Sequence, residues 1–92
     1  MRVVWDPVKG LINYRKHGVR FVDAEDVLND SLGVTVEDLR FSERRFTTLG
    51  MDLQHRVLLV VYTYPTGRDE VRLISARLAT RAERETYFGR NA

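Results

Sequence analysis

The sequence predicts an α+β domain in which helices pack on a small, mostly antiparallel β-sheet, in the order β-α-α-β-β-β-β-α. Two segments near the N-terminus and one near the C-terminus have helical apolar spacing or helix-capping residues. Between them lie runs of β-branched and aromatic residues separated by turn residues, which are typical of hairpin-connected strands. With 92 residues, the chain is predicted to form one domain spanning residues 1–92.

The first helix has clear start and stop signals. Val3–Trp5 is a short apolar stretch and is predicted to form the first strand. Asp6 is a good N-cap, and Pro7 suits the first helical position. Gly18 is a natural residue to end the helix. The apolar residues at helical spacing, which we expect to face the core, are Val8, Leu11 and Ile12.

A second helix follows, with an acidic outer face. Between Asp23 and Asp38 the chain contains acids and no base, so this face is a candidate surface for a basic partner. A charge run of this kind is more often a solvated face with mixed ion pairs. The apolar residues that mark the helix are Phe21, Ala24, Val27 and Leu28.

The second half of the chain reads as strands followed by one helix. Val57–Tyr64 is almost continuously apolar, which favours a central strand buried on both faces. Pro65–Asp69 is a turn signal. The final helix is predicted from Arg81 to about Phe88, ending near Gly89. The other predicted strands are Leu32–Val36, Arg45–Met51 and Val71–Arg77.

The junction before the last helix is the strongest candidate for a binding site. Thr80 and Glu83 have the spacing of a capping box. Arg77 and Arg81 therefore lie beside a helix N-terminus, where backbone N–H groups and guanidinium groups favour a phosphate. Strand alternation predicts that Arg77 shares a face with Val71, Leu73 and Ser75. The alternative is that Arg77 forms an ion pair with Glu83 or Glu85.

Composition narrows the kinds of ligand. Only two of the 15 basic residues are lysine, and arginine suits bidentate contacts with phosphate. The absence of cysteine excludes disulfides and thiolate zinc sites. No nucleotide-binding glycine loop or paired metal-ligand spacing is present, so we expect neither cofactor nor metal. The longest apolar run, Val57–Val61, is too short to span a bilayer, so we expect a cytoplasmic protein without membrane contact.

Three further residues are candidates for function, each with a structural alternative. His17 could exchange protons near neutral pH, although a histidine at a helix end more often satisfies the last carbonyls. Lys16 could neutralise phosphate or be an ordinary surface charge. Tyr87 could stack on a base or pack in the core.

Several segments together resemble the BrnT family of type II toxin–antitoxin toxins, small ribonucleases with a RelE-like fold. They occur in family order over nearly the whole chain, which makes the set more specific than any one of them. The matching segments are Trp5-Asp6-Pro7 with Lys9, Asn13 with Lys16-His17-Gly18-Val19 and Phe21, Arg45-Phe46 before Gly50, Val60-Val61-Tyr62-Thr63, Ile74-Ser75-Ala76-Arg77 with Ala79-Thr80, and Glu83-Arg84 with Tyr87.

The resemblance implies a metal-independent endoribonuclease that inhibits translation. It also implies neutralisation by a BrnA-like ribbon-helix-helix antitoxin, through which the complex would bind operator DNA. On this interpretation His17, Lys16, Arg77 and Arg81 are the catalytic candidates, while Arg45, Arg84 and Tyr87 contact RNA. The acidic second helix could then form part of the antitoxin contact.

Two alternatives remain open from the sequence. The first is a non-catalytic module of the same fold that binds nucleic acid or a partner, favoured by the absence of a close acid–base pair in the chain. The second is direct DNA binding by this chain alone, which is the weakest because no helix–turn–helix or basic recognition helix is visible.

Overall fold

A computed structural model describes residues 1–65 and 67–91 of the chain. The observed order of elements confirms the predicted α+β class. Thr66, in the predicted turn of residues 65–69, lies outside the described residues. The elements are β1 (Arg2–Val4), α1 (Pro7–His17), α2 (Phe21–Leu28), β2 (Val34–Asp38), β3 (Arg45–Met51), β4 (Val57–Thr63), β5 (Glu70–Leu78) and α3 (Arg81–Arg90).

The five strands form one sheet in the order β1-β5-β4-β3-β2. β1 pairs with β5 in parallel and every other neighbouring pair is antiparallel. The apolar strand β4 lies at the centre, as predicted. Leu58, Val60 and Tyr62 of β4 join the apolar residues of α2 in the main core, so we call this side of the sheet the α2 face. Val57 and Leu59 point to the opposite side and pack with Tyr87, which defines the α3 face.

A β-bulge in β5 reverses the alternation of its side chains. Tyr62 pairs with Leu73 while the preceding residue of β4 pairs with Ser75, so Ile74 is an extra residue. Leu73 and Ala76 consequently lie on the same α2 face, within one core. Arg77, the next residue, points to the α3 face. The prediction that Arg77 shares a face with Val71 and Leu73 is therefore wrong.

Asn13 attaches α1 to the free edge of β5. β1 covers this edge only as far as Arg72. Beyond that point, the buried Asn13 side chain donates from Nδ2 to the carbonyl of Ala76 at 2.8 Å and accepts from its N–H at 3.0 Å. The same Nδ2 donates to the carbonyl of Val19 at 3.0 Å. One amide side chain thus substitutes for a neighbouring strand.

The side of α1 that faces the rest of the protein is not the predicted one. Gly10 and Asn13 turn toward the protein, and a Cβ at Gly10 would lie 3.3 Å from the ring of Trp5. Val8, Leu11 and Ile12 are 64%, 50% and 57% exposed, so the prediction that they face the core is wrong. The reason is that a small and polar stripe fits the sheet edge, where the backbone of β5 needs hydrogen bonds.

The local helix signals are confirmed, and several element boundaries shift by one or two residues. Asp6 caps α1 through a 2.8 Å bond from the Val8 N–H, and Gly18 ends it with a φ of 71°. β2 begins after residue 33, because the Asp30 side chain and carbonyl hold residues 31–33 in a turn. α3 continues through Gly89 to Arg90. In the described ranges, no helix combines the length and apolar character needed to cross a membrane.

Replacing Asn13 by Ala should reduce the free energy of unfolding by about 2–6 kcal/mol. Asn13→Ala leaves the buried N–H and C=O of Ala76 unpaired, and each unpaired group costs about 1–3 kcal/mol. Urea denaturation measures the change. The control is Ile12→Ala, which should cost under about 0.5 kcal/mol because Ile12 is exposed. A larger loss for Ile12→Ala than for Asn13→Ala would contradict this rotation of α1.

Candidate functional site

Arg45, Arg72 and Arg77 lie on the part of the α3 face beside α1, and we call this surface the basic groove. At one end, Arg45, Thr63 and Arg72 form a row across β3, β4 and β5. Their side chains point to the α3 face, since Phe46, Tyr62 and Leu73 beside them belong to the core on the other side. Here the groove opens into a cleft of about 330 Å³ lined by Asp6, Lys9, Glu43, Arg45, Arg72, Leu73 and Ile74.

The two arginines of this cleft share one carboxylate. Glu43 lies 3.1 Å from Arg45 and 3.8 Å from Arg72. The guanidinium of Arg45 stacks on Phe41 at 3.7 Å, which fixes its plane. Its buried Nε has no hydrogen-bond partner in the part of the chain that the structure describes. An anion that replaced Glu43 between the arginines would gain charge-assisted hydrogen bonds.

Arg77 forms the other end of the groove and is paired with Glu83. Its Nη1 and Nη2 donate to the two carboxylate oxygens at 2.7 and 2.9 Å, and Nη1 also donates to the carbonyl of Leu78 at 3.2 Å. The ion pair raised as an alternative from the sequence is therefore present. Among the described residues, 1–65 and 67–91, Arg77 donates only the hydrogen bonds named above. Its Nε–H and its second Nη2–H are therefore available. These two donors form a side-on fork that suits a phosphate.

Glu83 holds Arg77 and the start of α3 together. Its Oε1 also accepts from the Thr80 N–H at 2.8 Å, while Thr80 Oγ1 accepts from the Glu83 N–H at 3.2 Å. This is the predicted capping box. The hydrogen bonds from Arg77, helped by Thr80, outweigh burial and lower the pKa of Glu83 to about 2. The carboxylate therefore stays ionised and keeps Arg77 in place.

Arg81 and Arg84 lie on the solvent side of α3. Arg81 is 94% exposed at its side chain, and its Nε donates to Glu85 at 3.3 Å. Arg84 lies over the ring of Phe88 at 5.6 Å. An exposed pair of this kind contributes little to stability, so Arg81 can exchange Glu85 for another anion. Arg81 and Arg77 flank the same junction but have separate carboxylate partners.

Lys16 and His17 occupy different sides of the end of α1. α1 runs alongside β5 in the same direction, because Lys9 lies near Arg72 and Ile74 while Asn13 bonds Ala76. Lys16 follows Lys9 by seven residues, which places both on the groove side at successive points. His17 follows Asn13 by one turn and is partly buried. Lys16 is thus the α1 residue that projects toward the face of Arg77.

Tyr87 lies in the interior rather than on the groove. It is 4% exposed, and its hydroxyl donates to Asp30 at 2.6 Å. Burial together with the Asp30 carboxylate raises the pKa of Tyr87 to about 12. Burial raises the pKa of Asp30, but hydrogen bonds from Tyr87, Met51 and Leu32 together lower it. Tyr87 therefore fixes α3 to the end of α2, and its ring is not available to stack on RNA.

The acidic face of α2 is largely engaged within the chain. Asp23 pairs with Arg56 at 3.2 Å, and Asp26 accepts from the N–H of Leu53 at 3.3 Å. Both contacts attach α2 to the turn between β3 and β4. The structure thus gives these acids an internal role, and it weakens the case for α2 as an acidic docking face. No group of His, Cys, Asp or Glu within residues 1–65 and 67–91 is arranged to hold a metal ion.

Sequence reasoning missed Lys9 and Arg72 as members of the site. Arg72 alternates with the core residues Val71 and Leu73, which was a signal that it faces away from α2. Lys9 precedes Lys16 by one heptad, which was a signal of a shared helix side. Their proximity to Arg45 depends on the order of the strands and on the rotation of α1 about its axis. Neither can be read from a short stretch of the sequence.

Comparison with known proteins identifies a family and a solved structure that are similar to this chain. The model of the BrnT family, described as ribonuclease toxins of type II toxin–antitoxin systems, matches residues 5–83. The crystal structure of the ribonuclease toxin BrnT from Brucella abortus superposes with a TM-score of 0.65 at 25% sequence identity. The match covers 88% of this chain and 99% of that chain. No curated protein matches the chain significantly.

The Arg77–Glu83 pair should make the protein sensitive to acid. The pKa of Glu83 in the fold, about 2, lies below its ordinary value of 4.5. Its ionised form therefore stabilises the fold above pH 4.5, and this contribution is lost as the pH falls toward 2. Glu83→Gln should lower stability at pH 7 and flatten its loss between pH 4.5 and pH 2, as measured by urea denaturation across pH. Glu85→Gln, in the exposed pair, is the control and should leave the pH profile unchanged.

Proposed function

Because the chain belongs to the BrnT family of ribonuclease toxins of type II toxin–antitoxin systems, we propose that it is an endoribonuclease that needs no metal ion. The observation that carries the proposal is the basic groove on the α3 face, with Arg45 and Arg72 at one end and Arg77 at the other. Arg72 and Arg77 are five residues apart on β5, or roughly 15 Å along the strand. A groove of this length suits the backbone of a single-stranded RNA segment rather than one small anion.

Arg77 and Arg81 bind the scissile phosphate. Glu83 holds one edge of the Arg77 guanidinium, which leaves the side-on fork for the phosphate. Arg81 leaves its weak pair with Glu85 and neutralises a second oxygen. Arg45, with Arg72 and Lys9, holds a neighbouring phosphate. Arg77, which Glu83 holds in place before the substrate arrives, stabilises the charge that develops on the phosphorane.

Cleavage requires two proton transfers. A base takes the proton of the ribose 2′-OH, the 2′-oxygen bonds to phosphorus, the P–O5′ bond breaks, and an acid protonates the leaving 5′-oxygen. The candidate for proton exchange is His17, which lies in the last turn of α1 on a different side from Lys16. Lys16 supports the reaction electrostatically from the groove side. Arg84, exposed on α3, contacts the RNA backbone beyond the cleavage site.

The cellular role that we propose is the one expected for a type II toxin. Cleavage of RNA inhibits translation in the cytoplasm, and a BrnA-like ribbon-helix-helix antitoxin neutralises the toxin. The complex binds operator DNA through the antitoxin. Support for this partner is the type II toxin–antitoxin description of the matching family. The opposing hypothesis, a non-catalytic module, is tested directly by the next experiment.

Arg77→Ala should reduce RNA cleavage at least about 100-fold, the loss typical of removing one donor to a developing oxyanion. Purified protein is incubated with RNA in EDTA, and the products are resolved on a gel. Arg15→Ala, on the opposite side of α1, is the matched control and should cleave like the wild type. Cleavage by the wild type in EDTA supports the metal-free reaction, whereas RNA retention without cleavage supports the binding module. Equal cleavage by wild type and Arg77→Ala excludes the role of Arg77.

His17→Asn and Lys16→Ala separate proton transfer from electrostatic support. If His17 exchanges protons, the rate of cleavage by the wild type depends on pH, and His17→Asn removes that dependence. Lys16→Ala should lower the rate with the shape of the pH profile preserved. If the cleavage rate still depends on pH in His17→Asn but no longer does so in Lys16→Ala, Lys16 rather than His17 transfers the proton.

A further inference from the structure

α1 exposes the apolar stripe that an amphipathic helix normally buries. Val8, Leu11 and Ile12 are half exposed or more, and Tyr14 on the same helix and Val22 on α2 are 42% and 57% exposed. These large apolar side chains thus lie in solvent on the outer surface of α1 and α2. Contiguous exposed apolar surface of this kind marks an interaction site.

Leu11, Tyr14 and Val22 line a concave surface. A cleft of about 440 Å³ lies between α1 and α2. Its floor includes Trp5 and Phe21, whose rings meet edge to face at 6.1 Å. Gly10 lies beside this pair, and a Cβ there would lie 3.3 Å from the ring of Trp5 and 3.5 Å from the ring of Phe21. The walls include Leu11 and Val22. A cleft with an aromatic floor and apolar walls accepts protruding apolar side chains of a partner.

The charged residues of α1 and of its junction with α2 are basic. Residues 7–20 contain four Lys or Arg side chains and no acid. Arg15 follows Leu11 by one helical turn, and Arg20 lies over the ring of Tyr14 at 4.9 Å, at the rim of the cleft. The first acid of α2, Asp23, is paired with Arg56. Two copies of this chain facing each other would bring these arginines together, so the charges oppose self-association.

We propose that the cleft between α1 and α2 binds an acidic amphipathic helix of the antitoxin, with apolar side chains on Trp5 and Phe21 and carboxylates toward Arg15 and Arg20. Helix-in-groove recognition uses apolar residues on one face of the bound helix, and the basic rim selects acidic flanks. The inference rests on the proposed function in one respect, since a type II toxin has a protein antitoxin.

The cleft is separate from the basic groove. Lys9 and Lys16 project to the groove side of α1, whereas Leu11 and Arg15 occupy the outer side of the same helix. Substitutions in the cleft should therefore weaken antitoxin binding without changing cleavage of RNA. That separation makes the proposal testable independently of catalysis.

The test compares Leu11→Glu with Leu53→Glu. Leu11 and Leu53, which lies in the turn after β3, are both exposed, so neither change removes a core side chain. The affinity of the full-length antitoxin from the same operon is measured by calorimetry at low and high salt. Leu11→Glu should weaken binding at least about 30-fold, as for a central interface residue, while Leu53→Glu binds like the wild type. Arg15→Glu should weaken binding more at low salt than at high salt.

Three results would overturn the proposal. One is unchanged antitoxin affinity in Leu11→Glu. The second is dimerisation of the free toxin, in analytical ultracentrifugation, that Leu11→Glu abolishes. The third is binding to phosphatidylserine vesicles that depends on Leu11. RNA cleavage is measured on the same samples: absence of cleavage in the wild type refutes the proposed function, whereas full cleavage by Leu11→Glu with weakened antitoxin binding supports the cleft.

Discussion

The three hydrogen bonds of Asn13 determine how the rest of this molecule is arranged. They hold α1 against the free edge of β5 and fix its rotation about its own axis. A helix held by an amide presents a small and polar side to the sheet, so its apolar stripe must face outward. The same rotation directs Lys9 to Arg72 on the groove side. The groove and the cleft are thus two consequences of one buried polar contact.

The bulge at Ile74 is the second constraint, because it decides which face receives Arg77. Without the extra residue, Arg77 would point into the apolar core between the sheet and α2. Its charge would then be buried. With it, Arg77 reaches Glu83 at the start of α3. Bulges often redirect a side chain near a functional site. Here the redirection joins Arg77 to the same face as Arg45 and Arg72.

The features that the sequence predicts correctly are those encoded by neighbouring residues. Asp6 with Pro7, and the Thr80–Glu83 capping box, each satisfy backbone groups within one turn, so their patterns are sufficient. The errors concern Leu11 and Arg77, whose orientations depend on a hydrogen bond between residues 63 positions apart and on the register of two strands. Helical periodicity identifies an apolar stripe, but it does not specify whether the domain or a partner covers it.

Hydrogen bonding, rather than residue type, assigns Tyr87 to the interior and Arg45 to the groove. Both are amphipathic side chains near basic segments, so the sequence supports an RNA contact for each. In the fold, the Tyr87 hydroxyl donates to Asp30 just after α2, and the Tyr87 carbonyl accepts from Asn91 Nδ2 at 2.7 Å. Arg45 instead keeps a buried Nε without a partner in the described ranges, beside a cleft that is open to solvent. A satisfied hydroxyl stabilises a fold, whereas an unsatisfied donor at an open cleft favours a ligand.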